Sequence, residues 1–288
     1  MMAEHLMTTA KPVLPALPAV PVAVAPNGGR RTKADHPALP IGPAELARTA
    51  AECLEAGAAM IHAHVRDAQN RHLLDADAYR AVIAAIRTEV GARMVVQITS
   101  EALGIYSPQE QMAVVRAVRP QAVSLALREI APGPADEAEF AAFLGWMKSE
   151  HIMPQFILYE PEEAVRFAAL CQRGIVPYDD PAVLYVLGRY RPGQLSFPAD
   201  LLPFLAAGQP IFPRFMVCAF GRHETAATLA AGLMGGGLRV GFENNLALPC
   251  GAKAPNNAAL VGAVTVGLQA AGIATMRGEE LAQDWASQ

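Results

Sequence analysis

The sequence predicts an α/β fold of one domain, a (β/α)8 TIM barrel over residues 20–288, and three observations predict it. The chain has 288 residues, near the roughly 250 that such a barrel uses. Hydrophobic residues make up 52% and charged residues 17%, enough apolar material for a large core. Short apolar runs alternate with amphipathic stretches, with no break in composition to mark a second domain.

In order, the first strand is expected in VPVAVAP (20–26). GPAELARTAAECLEAG (42–57) follows as a helix, with Pro43 near its start and Gly57 just past its end, the usual placing of those residues. MIHAHV (60–65) is the second strand. DADAYRAVIAAIRTEVG (75–91) is a helix with Asp75 as N-cap and Gly91 at its close. MVVQITS (94–100) leads to SPQEQMAVVRAVRP (107–120), where Ser107 and Glu110 form a capping box. QAVSLAL (121–127), QFILYE (155–160), AVLYVLG (182–188), IFPRFMVCAF (211–220) and LRVGFEN (238–244) complete the strands. Helices are expected at 136–150, 161–173, 198–207, 222–234 and 256–271. The runs are rich in Val, Ile, Leu and Phe with little polar alternation, as parallel strands covered on both faces should be. An open doubly wound sheet is the alternative, but PNGG after the first strand does not fit its phosphate-binding glycine pattern.

The net charge of −4 offers no basic field for nucleic acid or anionic lipid. None of the four cysteines forms a C-x-x-C pair, and a reducing cytoplasm is expected. No apolar run approaches the ~18 residues of a membrane span. The Ala/Pro-rich opening lacks a continuous apolar stretch behind a basic start, so residues 1–19 are read as a loose arm and not a signal peptide.

MIHAHVRD (60–67) places two imidazoles inside an apolar strand. Strand alternation puts His62 and His64 on one face, near the carboxyl end where barrel enzymes keep their chemistry. Two such rings bind one divalent metal if a third ligand joins them. Glu243 is the candidate, since parity places Arg239, Gly241 and Glu243 on one face of the last strand, two steps around a closed barrel. Zinc is the metal this set would hold; two satisfied core histidines are the plainer alternative. Asp67 or Glu101 would orient the rings. Arg239, about 13 Å below Glu243 at strand spacing, would have to reach upward toward an anion.

Other strand ends carry weaker signals. Asn27, before Gly28 and Gly29, fits either an oxyanion or a simple turn. Thr99, Ser100 and Ser124 fit either substrate contact or local hydrogen bonding. Arg128 and Glu129 are expected to pair at the rim, Cys218 to be an inert thiol, and His36 to lie at the surface. MGGGLRV (234–240) lacks the lysine of a phosphate loop. No lysine sits near a strand end, which weighs against an aldolase-type Schiff base.

APNGGRRTKADHPALPIGPAELA, AGAAMIHAHVRDAQNRHLLD, QITSEALGIYSPQEQ, VLGRY, VCAFGRHE and GGGLRVGFENN together resemble the β-keto acid cleavage enzymes, the family of 3-keto-5-aminohexanoate cleavage enzyme. The resemblance runs from about residue 20 to 275. It implies a (β/α)8 barrel with zinc on His62, His64 and Glu243, Arg239 as the catalytic arginine, and Thr99 or Ser100 as a hydroxyl at the substrate. It implies condensation of a β-keto acid with acetyl-CoA as co-substrate, then retro-Claisen cleavage to acetoacetate and a new acyl-CoA. It also implies a homotetramer. Zinc would stabilise an enolate as C2 loses its proton.

Two departures stand out. The aminohexanoate enzyme has an aspartate after its zinc glutamate, paired with the arginine to activate a base. Here Asn244 holds that place and cannot be a base, so Glu101, Glu129 or a water held by the metal would take the proton. That enzyme also has an acid where this chain has Arg30, so a neutral or anionic β-keto acid is expected. A zinc-dependent hydrolase and a non-catalytic binding barrel remain as competing readings.

Overall fold

A computed structural model describes residues 17–287. Its parallel strands are β1 (Val22–Val24), β2 (Met60–Ala63), β3 (Val95–Thr99), β4 (Ala122–Ala126), β5 (Met153–Leu158), β6 (Ala182–Leu187), β7 (Phe215–Ala219) and β8 (Gly237–Val240). Each pairs with the next, and β8 returns to β1, closing the barrel. Closure leaves no sheet edge.

Alternation along each strand divides the core. Val22, Val24, Ile61, Val96, Val123 and Phe156 face outward and pack in one cluster with the helices. Ala23, Met60, Val95, Ala122, Leu184 and Met216 fill the lumen. A helix the sequence reading did not foresee, Gly278–Ala286, brings Leu281 and Trp285 into that lumen cluster. It meets the start of β3, where the Gly278 Cα approaches the Arg93 carbonyl closely. One end of the lumen is therefore packed shut, and the strands' carboxyl ends stay open for a site.

The expected helices form at Pro43–Glu55, Ala76–Val90, Pro108–Val118, Glu137–Ser149, Pro161–Gln172, Glu224–Leu233 and Asn257–Ala270. Asp75 caps Ala78 N–H, and Ser107 and Glu110 form the expected box. The stretch 198–207 differs: a 3-10 turn, Pro198–Leu201, runs into one helical turn, Leu202–Leu205. Pro203 supplies no N–H there to extend the hydrogen-bond ladder.

Several expectations are corrected. β8 ends at Val240, so Glu243 is not on the strand. Val65–Arg66 pairs antiparallel with His72–Leu73 in a small hairpin outside the barrel. Arg128 and Glu129 do not pair: Arg128 binds Glu163 at 2.7 Å, and Glu129 accepts the Ala102 N–H at 2.8 Å. Their helical turn, Leu127–Ile130, points them in different directions. His36 is buried, its Nε2 2.8 Å from the Ala254 carbonyl. Of the arm expected over 1–19, residues 1–16 lie outside the described residues. Among the described residues no helix is long and apolar enough to cross a membrane.

Candidate active site and metal centre

β2 carries His62 at the open end of the lumen, and His64 follows just past the strand. Their Nε2 atoms are 3.1 Å apart. Glu243 Oε2 stands 3.6 Å from His62 Nε2 and 3.5 Å from His64 Nε2. That carboxylate oxygen is buried with no hydrogen-bond partner. A tetrahedral ion with ~2.1 Å bonds spaces its ligand atoms by about 3.4 Å. The three donors therefore fit zinc in number, chemical type and spacing.

Uncharged residues hold the rings. His62 Nδ1 is 2.8 Å from Gln97 Oε1, and Gln97 Nε2 donates to Gln155 Oε1 at 3.1 Å. An amide oxygen only accepts, so His62 Nδ1 carries the proton and Nε2 presents its lone pair. Burial, with the Arg239 cation beside it, pushes the His62 pKa down to about 3, which keeps the ring neutral as a ligand must be. Asn27 donates to the His64 carbonyl at 3.0 Å and accepts its N–H at 3.2 Å. Both ends of Asn27 are thus committed to His64.

Glu243 arrives on a turn. Gly241 has φ +138°, and Asn244 and Asn245 N–H return to the Gly241 carbonyl at 2.9 and 3.0 Å. The turn brings Glu243 Oε1 to 3.6 Å from Arg239 Nη2, in place of the separation that an extended strand would impose. Burial alone would raise the Glu243 pKa; Arg239 and the histidines hold it well below the ordinary carboxylate value. Burial likewise opposes charge on Arg239, but Cys218 and Glu243 keep its pKa above the usual one. Arg239 Nη2 also lies 3.3 Å from Cys218 Sγ, while Nε and Nη1 are buried without a partner. The Cys218 thiol is pushed up to about 11 by burial and stays protonated.

A cavity at the strands' carboxyl ends joins His62, His64, Glu243 and Arg239 to Thr99, Glu101 and Ser124, with Tyr159, Arg189 and Phe220 toward the mouth. Thr99 and Ser124 face each other across β3 and β4, their hydroxyls 3.3 Å apart. Ser100 does not line the cavity; its hydroxyl donates to the Ser124 carbonyl. Arg30 is exposed and lines a neighbouring hollow with Arg31, Arg189 and Glu101. Asn244 is buried outside the cavity, its side-chain atoms without partners. Asp67 is occupied by Arg71 at 2.7 Å, whereas Glu101 Oε2 reaches 3.7 Å from His64 Nδ1.

The sequence reading assigned no role to Gln97, Tyr159, Arg189 or Glu224. Gln97 shares a strand face with Thr99, a polar residue on a buried face and the one available signal. Arg189 lies in VLGRY, and its guanidinium sits 3.6 Å from Glu101 Oε1 and 5.0 Å over the Phe220 ring. Glu224 is fully buried and accepts from Gly241 N–H at 3.0 Å and Asn245 Nδ2 at 3.2 Å.

The profile of the beta-keto acid cleavage enzyme family matches residues 19–283. The chain is 26% identical over 252 residues to a 3-keto-5-aminohexanoate cleavage enzyme of Fusobacterium nucleatum, covering 81% of this chain and 85% of that one. It is 25% identical over 256 residues to a 3-oxoadipate:acetyl-CoA acetyltransferase of Cupriavidus necator, covering 84% and 86%. Among solved structures it is similar to ObcA in a ternary complex with a C4-CoA adduct and oxalate, with TM-score 0.67 and 18% identity, covering 86% of this chain. The match spans 67% of that ObcA chain and 65% of ObcA in its apo structure. A type I 3-dehydroquinate dehydratase from Clostridium difficile gives TM-score 0.55 at 10% identity, covering 88% and 94%. At these identities the structural likeness is one of fold.

Proposed function

The chain belongs to the beta-keto acid cleavage enzyme family, and from that premise we propose that it is a zinc-dependent acyl-exchange enzyme. It takes a β-keto acid and acetyl-CoA and returns acetoacetate and the CoA thioester of the remaining acyl part. The observation that carries this reading is the convergence of His62, His64 and Glu243 on one cavity with the unpaired edge of Arg239. The acetyltransferase name of the Cupriavidus relative supports acetyl-CoA as co-substrate.

Zinc bound by the triad would supply a Lewis acid for the substrate's keto and carboxylate oxygens. Around it, the chain's own groups bind and move protons. Arg239 presents N–H donors to developing negative charge from a buried position, where such donors act more strongly than in water. Thr99 and Ser124 orient the substrate through their hydroxyls. Glu101 takes the C2 proton: it lines the cavity, while Asn244 has no basic atom and lies outside it. Glu129 is set aside from the cavity, its carboxylate accepting from Ala102. Arg189 at the mouth and Arg30 in the adjoining hollow favour a neutral or anionic acyl chain over a cationic one.

The test is a panel of neutral, anionic and aminated β-keto acids offered with acetyl-CoA, following thioester products by mass. Acetoacetate and a new acyl-CoA are expected, fastest for neutral or anionic acids and abolished by zinc removal. Cleavage that proceeds without CoA would make the protein a hydrolase. Equal or faster cleavage of the aminated acid would overturn the charge preference.

A further inference from the structure

Behind the triad, His72 and the second ring nitrogen of His64, neither used by the proposed reaction, converge on the Glu101 carboxylate. The small hairpin delivers His72, 6% exposed, against His64, with ring centroids 5.6 Å apart. His72 Nε2 lies 2.7 Å from the Glu101 carbonyl. A carbonyl only accepts, so Nε2 carries the ring's proton and Nδ1 is a bare lone pair. That Nδ1 is buried with no partner, and so is Nδ1 of His64. Glu101 Oε2 is 3.7 Å from His64 Nδ1, too far for a hydrogen bond. One donor atom from each of His64, His72 and Glu101 lies within 4.8 Å of the others.

Gly29 keeps the space beside them open. A Cβ there would stand 2.7 Å from Leu103 Cδ1, 3.1 Å from Glu101 Oε2 and 3.3 Å from His72 Nδ1. Gly29 is not in the left-handed region, so what glycine supplies at this position is room.

The geometry points to a second divalent-cation site on His64 Nδ1, His72 Nδ1 and the Glu101 carboxylate, with the His64 ring bridging two ions through its opposite nitrogens. Two imidazoles and one carboxylate suit zinc or cobalt better than magnesium or calcium. A neutral His64 ring has one N–H proton, so filling this second site releases that single proton to solvent, while an ion on Nε2 alone releases none. An ion on Glu101 also makes that carboxylate a poorer base, so filling this site slows turnover. That last consequence rests on the proposed role of Glu101; the site itself does not.

The experiment titrates the metal-stripped protein with Zn2+ and with Co2+, counting bound metal and released protons. Two equivalents are expected for the wild type. His72→Gln keeps an N–H toward the Glu101 carbonyl but lacks the Nδ1 lone pair, and one equivalent is expected. Gly29→Ala, which fills the space with a methyl group, is the second variant and should also lose the weaker equivalent. One equivalent in the wild type would overturn the site, as would a second that survives in both variants. A single equivalent whose affinity falls roughly 10–100-fold in His72→Gln would make His72 a hydrogen-bonding support, and would overturn it too. Zinc beyond the first equivalent should inhibit the wild type and spare His72→Gln. Two bound equivalents without inhibition would leave the site standing and remove Glu101 as the base.

Discussion

Gln97, Asn27 and Glu224 hold the candidate centre from behind. Gln97 sets the His62 tautomer and Asn27 grips the His64 backbone. Glu224, beneath the turn that bears Glu243, is driven by burial to a pKa of about 8, against its bonds to Asn245 and Gly241 and the charge of Arg31. Its folded pKa exceeds its ordinary value, so the folded chain binds this proton more tightly than the unfolded one. The associated stability is full below a pH of about 4.5 and is lost as pH rises toward 8. Thermal melts across that window should show a falling Tm for the wild type and a shallower fall for Glu224→Gln. Parallel profiles would mean that the carboxyl stays ionised throughout.

At the scale of elements, the turn after β8 is the decisive piece. Glu224 takes the N–H of Gly241, Asn257 that of Phe242 at 2.8 Å, and the Ala25 carbonyl that of Glu243 at 3.0 Å. Arg31 binds the carbonyls of Phe242 and Asn244 at 2.5 and 3.3 Å. Gly241 is required twice, by its φ of +138° and because a Cβ would meet the Ala25 carbonyl oxygen at 2.4 Å. Gly241→Ala should cost about 1–3 kcal/mol in strain, lowering Tm by roughly 2–10 °C. It should also weaken metal binding, because Glu243 moves with the turn. A normal Tm and unchanged zinc affinity would show that the turn tolerates a side chain.

For the whole molecule, closure of the barrel separates stability from chemistry. The site occupies the strands' carboxyl ends, while Leu281 and Trp285 pack into the lumen from the final helix. Trp285 is 3% exposed, and truncating a buried tryptophan to alanine costs roughly 3–5 kcal/mol. Trp285→Ala should therefore lower Tm by about 10 °C while the affinity of the candidate site for added zinc is kept. Loss of that affinity with the fold intact would show that the two ends of the lumen are coupled.

What the amino-acid order determined by itself was local: apolar runs at strand length, helices with their caps, and two histidines spaced two residues apart at the end of β2. Those features depend on propensity and periodicity, which act between near neighbours. It also sufficed to single out His62, His64 and Glu243 as one candidate site, because the histidines are two residues apart and Glu243 stands out in its motif. Tertiary structure alone decided that Glu243 arrives on a turn and meets Arg239, that Ser100 faces away from the cavity, and that Gln97 and not Asp67 orients His62. It also brought His72 behind His64 and sent the last helix into the lumen. Each of these contacts joins residues whose encounter depends on where the backbone bends and how the barrel closes, and periodicity carries no record of either.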